Sequence, residues 1–469
     1  MFVHQFFIKG LAHSSYLLGG TATCAIIDPR RDIQIYLDAA REMGMKITHI
    51  LETHLHADFI SGHLDLAAKT GAMIYAPKAG KCAFKHEAIA DGDSFEIEDM
   101  TIGVLETPGH TPEHVSYVVT DRSRGNDPAA IFCGDTLFVG DVGRPDLFPG
   151  IAEALAAKLY DSLHKKLLAL PAFCAVYPAH GAGSLCGRAM GAMRTSTIGY
   201  EKKYNGALKI KDKKKFIAAL TTNMPPAPDH FSRCSAVNGK GPALVEKLPK
   251  PAMLEPAAFQ KCMKQKNIIV LDCRPTAAFG GGHVPGSYHI DFGSNFSTFA
   301  GWILPPGMQI LLVTENPQQA EEAAVLLRRV GHDRVTGFLD GSMYEWTKAG
   351  LAFETVPQLS VQQLQLQMKR SERFTLVDVR TPHEFEAGHI EGAVNIAMPD
   401  LRMRFKEINA ALPVIVMCNT GHRSSMGISI LKRHGLKHVL NVAGGMTAYS
   451  AAGMAEPCAA CTQLHGPRV

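Results

Sequence analysis

His54, His56 and Asp58 fall in HLHADFISGH (residues 54 to 63), a spacing that lets three ligand-type side chains meet on one loop. Further potential ligands arrive later: His110 in TPGHTPEH, Asp135 in FCGDTLF and His180 in YPAHGAG. Two histidines and one carboxylate on a single face suffice for one ion and leave positions open for substrate and oxygen, the arrangement that non-haem Fe(II) oxygenases use. Phe59, directly after Asp58, has no atom that can coordinate a second ion. A different chemistry is set up in CNTGHRSS (418 to 425). Cys418 stands between the buried run VIVM and the helical run SSMGISILKRHG, so backbone N–H groups and the helix dipole favour its thiolate. Gly421 lets the loop curl, and Arg423 adds positive charge for an anionic sulfur species.

These residues need elements that bring them together. ITHILET reads as a strand ending just before His54, and the residues after Ser61 read as a helix. His110, Asp135 and His180 each follow a predicted strand as well. Ligands carried at the carboxyl ends of strands are where open α/β sheets place chemistry, so these loops are expected to converge on one edge. Over residues 1 to 208, β-rich runs such as CAIIDP and AAIFCGD alternate with helical stretches such as IQIYLDAAREMG, which predicts a layered α/β domain. Residues 209 to 253 break the periodicity with KIKDKKK, NMPPAPDH and KLPKP and read as a linker, the lysine run being a solvated face.

The remainder contains an internal repeat. IIVLDCRPTAAFGGGHVPGSYHI aligns with FTLVDVRTPHEFEAGHIEGAVNI, so that Asp272, Arg274, His283 and Gly286 match Asp378, Arg380, His389 and Gly392, each 106 positions on. Two small α/β domains with parallel sheets follow, over 254 to 355 and 356 to 457. Carrying the cysteine loop back 104 positions sets Thr314 against Cys418, Pro317 against Gly421 and Gln319 against Arg423. Nucleophile, hinge and charge are all missing from the first copy, and Cys262 and Cys273 lie elsewhere in it. A tail, 458 to 469, carries a lone CAAC that is weak ground for a metal site.

With 469 residues the chain exceeds one hydrophobic core, and about three units are expected. Its 46% apolar and 20% charged residues are ordinary for a globular protein, and a net charge of +4 gives no reason to expect nucleic acid as a partner. No segment approaches the ~18 consecutive apolar residues of a membrane span. The N-terminus lacks a basic region and a small-residue cleavage site, so a cytoplasmic location is expected, in which the 11 unpatterned cysteines are thiols.

HxHxD followed by GH, GD and AH at strand ends resembles the metallo-β-lactamase fold family. CxxGxR with the DVR…GHIEGA pattern resembles rhodanese sulfurtransferases. Together they resemble bacterial fused persulfide dioxygenase–sulfurtransferases, which implies an α/β protein with an N-terminal αββα domain followed by a silent and an active rhodanese-like domain. Carried over, the resemblance implies one mononuclear non-haem Fe(II) held by His54, His110 and Asp135, with His56, Asp58 and His180 orienting ligands and water. It further implies that Arg144, in GDVGRPDL, steadies the loop or meets the anionic end of a thiol, and that Cys418 is the sulfurtransferase nucleophile assisted by Gly421 and Arg423. Cys186, six residues after His180, would be either a buried structural thiol or an accessible one that carries a persulfide. Asp378, Arg380, Glu384 and His389 match positions with structural roles. The implied substrates are a low-molecular-weight thiol persulfide and O2, with sulfite or thiosulfate as products, and a homo-oligomer is expected. A glyoxalase II-type thioesterase with two zinc ions, and a non-enzymatic sulfane-sulfur carrier, are the alternative readings.

Overall fold

The structure is a computed structural model, and it describes residues 1–454 except 189, 223, 225, 226 and 294. The CAAC tail lies outside the described residues. The chain divides into two compact units, one comprising 1–248 with 325–331 and the other 249–324 with 332–469.

The first unit holds two six-stranded sheets. One runs β1 (Phe2–Ile8), β2 (His13–Gly19), β3 (Thr23–Ile27), β4 (Lys46–Leu51), β5 (Met73–Pro77) and β6 (Glu87–Ile89) in spatial order. The other contains β7 (Ser94–Ile97), β8 (Met100–Glu106), β9 (Val115–Asp121), β10 (Ala130–Gly134), β11 (Ala175–Pro178) and β12 (Ser196–Thr197). Side chains alternate across a strand, and this alternation divides the core. Tyr16, Leu18, Ala25 and Ile27 meet Val104, Tyr117, Ala130 and Phe132 between the sheets. Their neighbours Leu17, Cys24 and Ile26 pack outward against the helices Gln34–Glu42 and His63–Thr70. Ile131, Cys133 and Val176 do the same on the other side, against Leu155-to-Leu167 helical turns and the helix Lys213–Thr221. The result is the expected αββα sandwich.

One expectation fails here. Residues 209–248 are not a linker: they form the helices Lys213–Thr221 and His230–Lys240 and belong to the first unit. Asp212 caps the first helix by accepting from the N–H of Lys215 at 2.8 Å, and Phe216 and Leu220, one helical turn apart, bury against the second sheet. The lysines point away from that face, as the solvated reading required; Lys213 pairs with Asp161 at 2.7 Å.

The second unit contains the second repeat copy and the first apart from 325–331, each copy with a sheet of its own. The first copy has strands β13 (Ala252–Leu254), β14 (Ile268–Asp272), β15 (Tyr288–His289), β16 (Gln309–Val313) and β17 (Val335–Leu339). The second has β18 (Gln358–Leu359), β19 (Thr375–Asp378), β20 (Val394–Asn395), β21 (Val414–Met417) and β22 (Val439–Val442). Their spatial orders, β13-β17-β16-β14-β15 and β18-β22-β21-β19-β20, are the same topology, and every pair is parallel. The repeated motif also does the same work in both copies. Arg274 Nη2 and Arg380 Nη2 each lie 2.6 Å from the aspartate two residues earlier and donate to a turn carbonyl, Gly282 or Gly388, at 2.7 Å. His283 and His389 stack on Phe279 and Phe385. Asp378, Arg380 and His389 are therefore structural, as expected. No helix among the described residues is long and apolar enough to cross a membrane.

Candidate functional site

The strands β3, β4, β8, β10 and β11 deliver their carboxyl ends to one edge of the sandwich, and the six expected site residues gather there. His54, His110 and Asp135 are fully buried and present three ligand atoms within 4.8 Å of one another. His110 Nε2 lies 3.3 Å and His54 Nε2 3.8 Å from Asp135 Oδ2. Backbone at this point is crowded: a Cβ on Gly134 would sit 2.4 Å from His114 Nε2 and 2.6 Å from Thr53 Oγ1, so only glycine fits.

Hydrogen bonding fixes the tautomers of both rings. The Thr53 hydroxyl gives its only proton to Asp28 Oδ2 at 3.0 Å, so the 2.8 Å contact with His54 must be Nδ1–H donating to Thr53 Oγ1. His110 Nδ1 donates to the carbonyl of Arg144 at 2.9 Å. Each ring therefore turns an Nε2 lone pair toward Asp135, and neither Nε2 has a hydrogen-bond partner. Buried lone pairs left unsatisfied are costly unless something binds them. Burial and neighbouring histidines push His54 well below the ordinary histidine range, and burial lowers His110, which keeps both neutral. Two neutral imidazoles and a carboxylate make a donor set that fits a divalent ion.

His180 and Asp58 stand behind this set. His180 Nδ1 donates to Asp135 Oδ1 at 2.7 Å and Nε2 donates to Asp58 Oδ2 at 2.9 Å. Burial opposes a charge on His180, but the two carboxylates outweigh it and raise the ring well above its usual value. The same contacts overcome the burial of Asp135 and hold its carboxyl below the ordinary range. His180 thus holds Asp135 and is itself held by Asp58. His56 faces the other way: its Nε2 lies 3.2 Å from Asp28 Oδ1, in a buried group with Glu52. Phe59 is fully buried, with its ring 4.1 Å from that of His13 and 4.4 Å from that of His56.

Two residues expected near the substrate lie beside this set. Cys186 is buried beside Ala57, Phe138 and Phe231, and burial pushes its thiol well above the usual range; its Sγ lies within 4.8 Å of ligand atoms of Asp58 and His180. Arg144 is buried in a two-pronged pair with Asp146, 2.7 Å at each contact, and its carbonyl holds His110. Loop support is the role its geometry provides.

In the second unit, Cys418 follows β21 and opens onto the helix His422–Arg433. The Gly421 N–H donates to Cys418 Sγ at 3.1 Å, a contact suited to a thiolate, while the neighbouring Ser424 hydroxyl donates to Asn441 Oδ1 at 2.6 Å. Gly421 takes φ +96°, the left-handed turn expected of it. Arg423 is met by Glu384 at 2.6 and 2.7 Å. Burial opposes the charge on Glu384, yet Arg423 and Thr381 hold its carboxyl at about 2, so Glu384 is part of this loop's electrostatics rather than a remote structural pair. In the first copy Thr314 is buried and its hydroxyl donates to Asn316 O at 3.0 Å.

The metallo-beta-lactamase superfamily model matches residues 8–180, and the rhodanese-like domain model matches 255–349 and 360–452. A crystal structure of a metallo-beta-lactamase from Staphylococcus aureus subsp. aureus COL is 34% identical, with a TM-score of 0.65 over 72% of this chain and 98% of that one. The chain belongs to the metallo-beta-lactamase superfamily. Two rhodanese-like domains follow its superfamily domain. Among curated relatives, the persulfide dioxygenase ETHE1, mitochondrial, of Homo sapiens is 34% identical over 175 residues, covering 35% of this chain and 63% of that protein. The hydroxyacylglutathione hydrolase of Rhodospirillum rubrum is 38% identical over 162 residues, covering 34% of this chain and 58% of that protein. The chain thus spans about three-fifths of the length of these curated relatives.

Sequence reasoning missed several residues that support this cluster. Asp28 ends β3 with φ +52° and anchors both Thr53 and His56; an aspartate closing the buried run CAII was the available signal. His114, in TPEH, accepts the N–H of Asp135 at 3.0 Å through Nε2. Asn238, in the supposed linker, accepts from the N–H of Ser61 at 2.9 Å and donates to the carbonyls of His56 and Phe59 at 2.8 Å each. It pins the metal loop from outside.

Proposed function

We propose that the protein oxidises the terminal sulfur of a low-molecular-weight thiol persulfide with O2 and passes sulfane sulfur through Cys418. A single ferrous ion held by His54, His110 and Asp135 would supply redox capacity and open coordination positions. The observation that carries this reading is the pair of unpartnered, buried Nε2 atoms facing Asp135. The chain's own residues do the rest: Thr53 and the Arg144 carbonyl fix the histidine tautomers, and His180 with Asp58 turns the Asp135 carboxylate toward them. Phe59 occupies the position after Asp58 with a ring that binds no second ion, which supports one metal. In the balanced reaction one persulfide, one O2 and one water give one thiol, one sulfite and two protons.

Cys418 would then work as a sulfur carrier. Its thiolate takes the outer sulfur of a persulfide, and sulfite attacks that sulfur, releasing thiosulfate and restoring the thiolate. Joining the two activities in one chain raises the effective concentration of the shared intermediate. The likeness to the persulfide dioxygenase supports this function, while the likeness to the hydroxyacylglutathione hydrolase, at 38% identity, favours a binuclear thioester hydrolase as the second reading. Cys418→Ser separates the steps: the expected outcome is sulfite in place of thiosulfate, and an unchanged product ratio overturns the role of Cys418.

A further inference from the structure

The silent rhodanese-like copy has no assigned role, yet it packs directly on the helix that carries the cysteine loop. The N–H of His289 donates to Ser429 Oγ at 3.0 Å, and Ser425 Oγ lies 2.9 Å from His289 Nδ1. Arg433 covers the ring of Tyr288 at 4.2 Å. Beside this contact lies a cavity of about 360 Å³, walled by Asp291, Phe296 and Phe299 of the silent copy and by His422, Arg423 and Met426 of the active one. It is large enough for a small organic molecule, and it borders the loop that begins at Cys418.

The charges in its wall are unequal. Arg423 is already matched by Glu384 at 2.6 Å. Among the described residues Asp291 has no arginine or lysine ion pair; its Oδ2 accepts from the Thr276 N–H at 3.1 Å and lies 3.1 Å from His422 Nδ1. Asp291 thus sets a carboxylate in the cavity wall beside two phenylalanine rings. On the same loop as Thr420, His422 and Arg423 of the cavity wall, the Gly421 N–H and the helix N-terminus favour negative sulfur at Cys418. A molecule matched to both has a reactive sulfur at one end, a short apolar body and a positive charge at the other.

We infer that the silent copy selects the sulfur donor for Cys418, and that Asp291 favours the persulfide of an aminothiol over one ending in a carboxylate. The inference rests on the proposed role of Cys418 as a sulfur carrier. In the loading step the Cys418 thiolate attacks the outer sulfur of R–S–SH. The Sγ–S bond forms, the donor's S–S bond breaks, and R–S⁻ leaves with the bonding pair, so Cys418 becomes Cys418–S–SH. Sulfite, which has no organic body to seat, needs only the loop for the second step. The silent copy thereby distinguishes donors without touching the acceptor.

The test is made on the full-length protein without oxygen, so that the iron site plays no part. Persulfides of cysteamine, 2-mercaptoethanol and 3-mercaptopropionate are offered separately, and the rate of sulfur addition to the Cys418 peptide is followed by mass spectrometry. The wild type is expected to load fastest from cysteamine persulfide and slowest from mercaptopropionate persulfide. An exposed carboxylate–ammonium contact corresponds to roughly fivefold at most. Asp291→Asn should shrink the cysteamine-to-mercaptopropionate ratio severalfold, Asp291→Lys should invert it, and salt should weaken it. A ratio equal in wild type and both variants overturns the inference while leaving Cys418 as a carrier. Failure of Cys418 to load from any of the three overturns the carrier role itself, and the inference with it.

Discussion

Replacing Thr53 by valine keeps shape and volume but removes the oxygen that joins Asp28 to His54. The hydroxyl donates to Asp28 Oδ2 at 3.0 Å and accepts from His54 Nδ1 at 2.8 Å, and all three residues are buried. Asp28 keeps the Thr53 N–H at 2.8 Å, so one of its oxygens stays bonded while the other loses a donor. A buried polar group left unpaired costs about 1–3 kcal/mol, and the metal-free protein should lose about that much stability. Without its acceptor, His54 Nδ1–H no longer fixes the tautomer, and metal affinity should fall ~10- to 100-fold, as is usual when the outer partner of a ligating histidine is lost. Urea unfolding of metal-free protein gives the first quantity. Anaerobic competition for Fe(II) against a chelator gives the second. Affinity and stability both within twofold and a few tenths of a kcal/mol of wild type would refute the claim that Thr53 sets the ring, whatever the activity did.

Three further outcomes follow from the same geometry. Asn238→Ala removes three hydrogen bonds from the metal loop and should destabilise the first unit by about 1–3 kcal/mol and weaken metal binding, checked by denaturation and metal titration. Burial pushes His63 and His114 down to about 3 and His230 to about 4, whereas an unfolded histidine titrates near 6.5. The unfolded chain therefore binds protons that the folded one refuses, so stability is intact above pH ~6.5 and falls as pH drops toward 4, by up to about 1.4 kcal/mol per pH unit per histidine; a flat urea midpoint between pH 7 and 5 would contradict this. Phe59→His offers an imidazole beside Asp58 and should let a second ion bind with loss of oxygen uptake, whereas unchanged metal content and uptake would make Phe59 incidental.

The site was legible where chemistry and periodicity coincide. His54, His110, Asp135 and His180 each follow a buried strand, and the carboxyl ends of such strands share one edge. The repeat was legible because Asp272–Arg274 and Asp378–Arg380 solve the same local problem in both copies. Asn238 was not, because it acts on a loop 177 to 182 residues away and its helix lies in a proline-broken stretch. The spacing of Phe231, Cys234 and Asn238 on one helical face was the overlooked signal. The burial of Cys186 was equally hidden, since its glycine-rich neighbours suggest an open loop while Phe138 and Phe231 arrive from elsewhere. Asp291 carries no motif, and only packing between the copies brings it to the cysteine loop.

The central claim concerns which ion His54, His110 and Asp135 hold and what reaction follows. Metal content of anaerobically purified protein, measured together with O2 uptake and sulfur products on a thiol persulfide, tests it most directly. The account predicts about one iron per chain, with O2 consumed one for one with persulfide and sulfite formed in the Cys418→Ser variant. Two zinc ions per chain, no oxygen uptake and hydrolysis of acyl-thiol esters would contradict it.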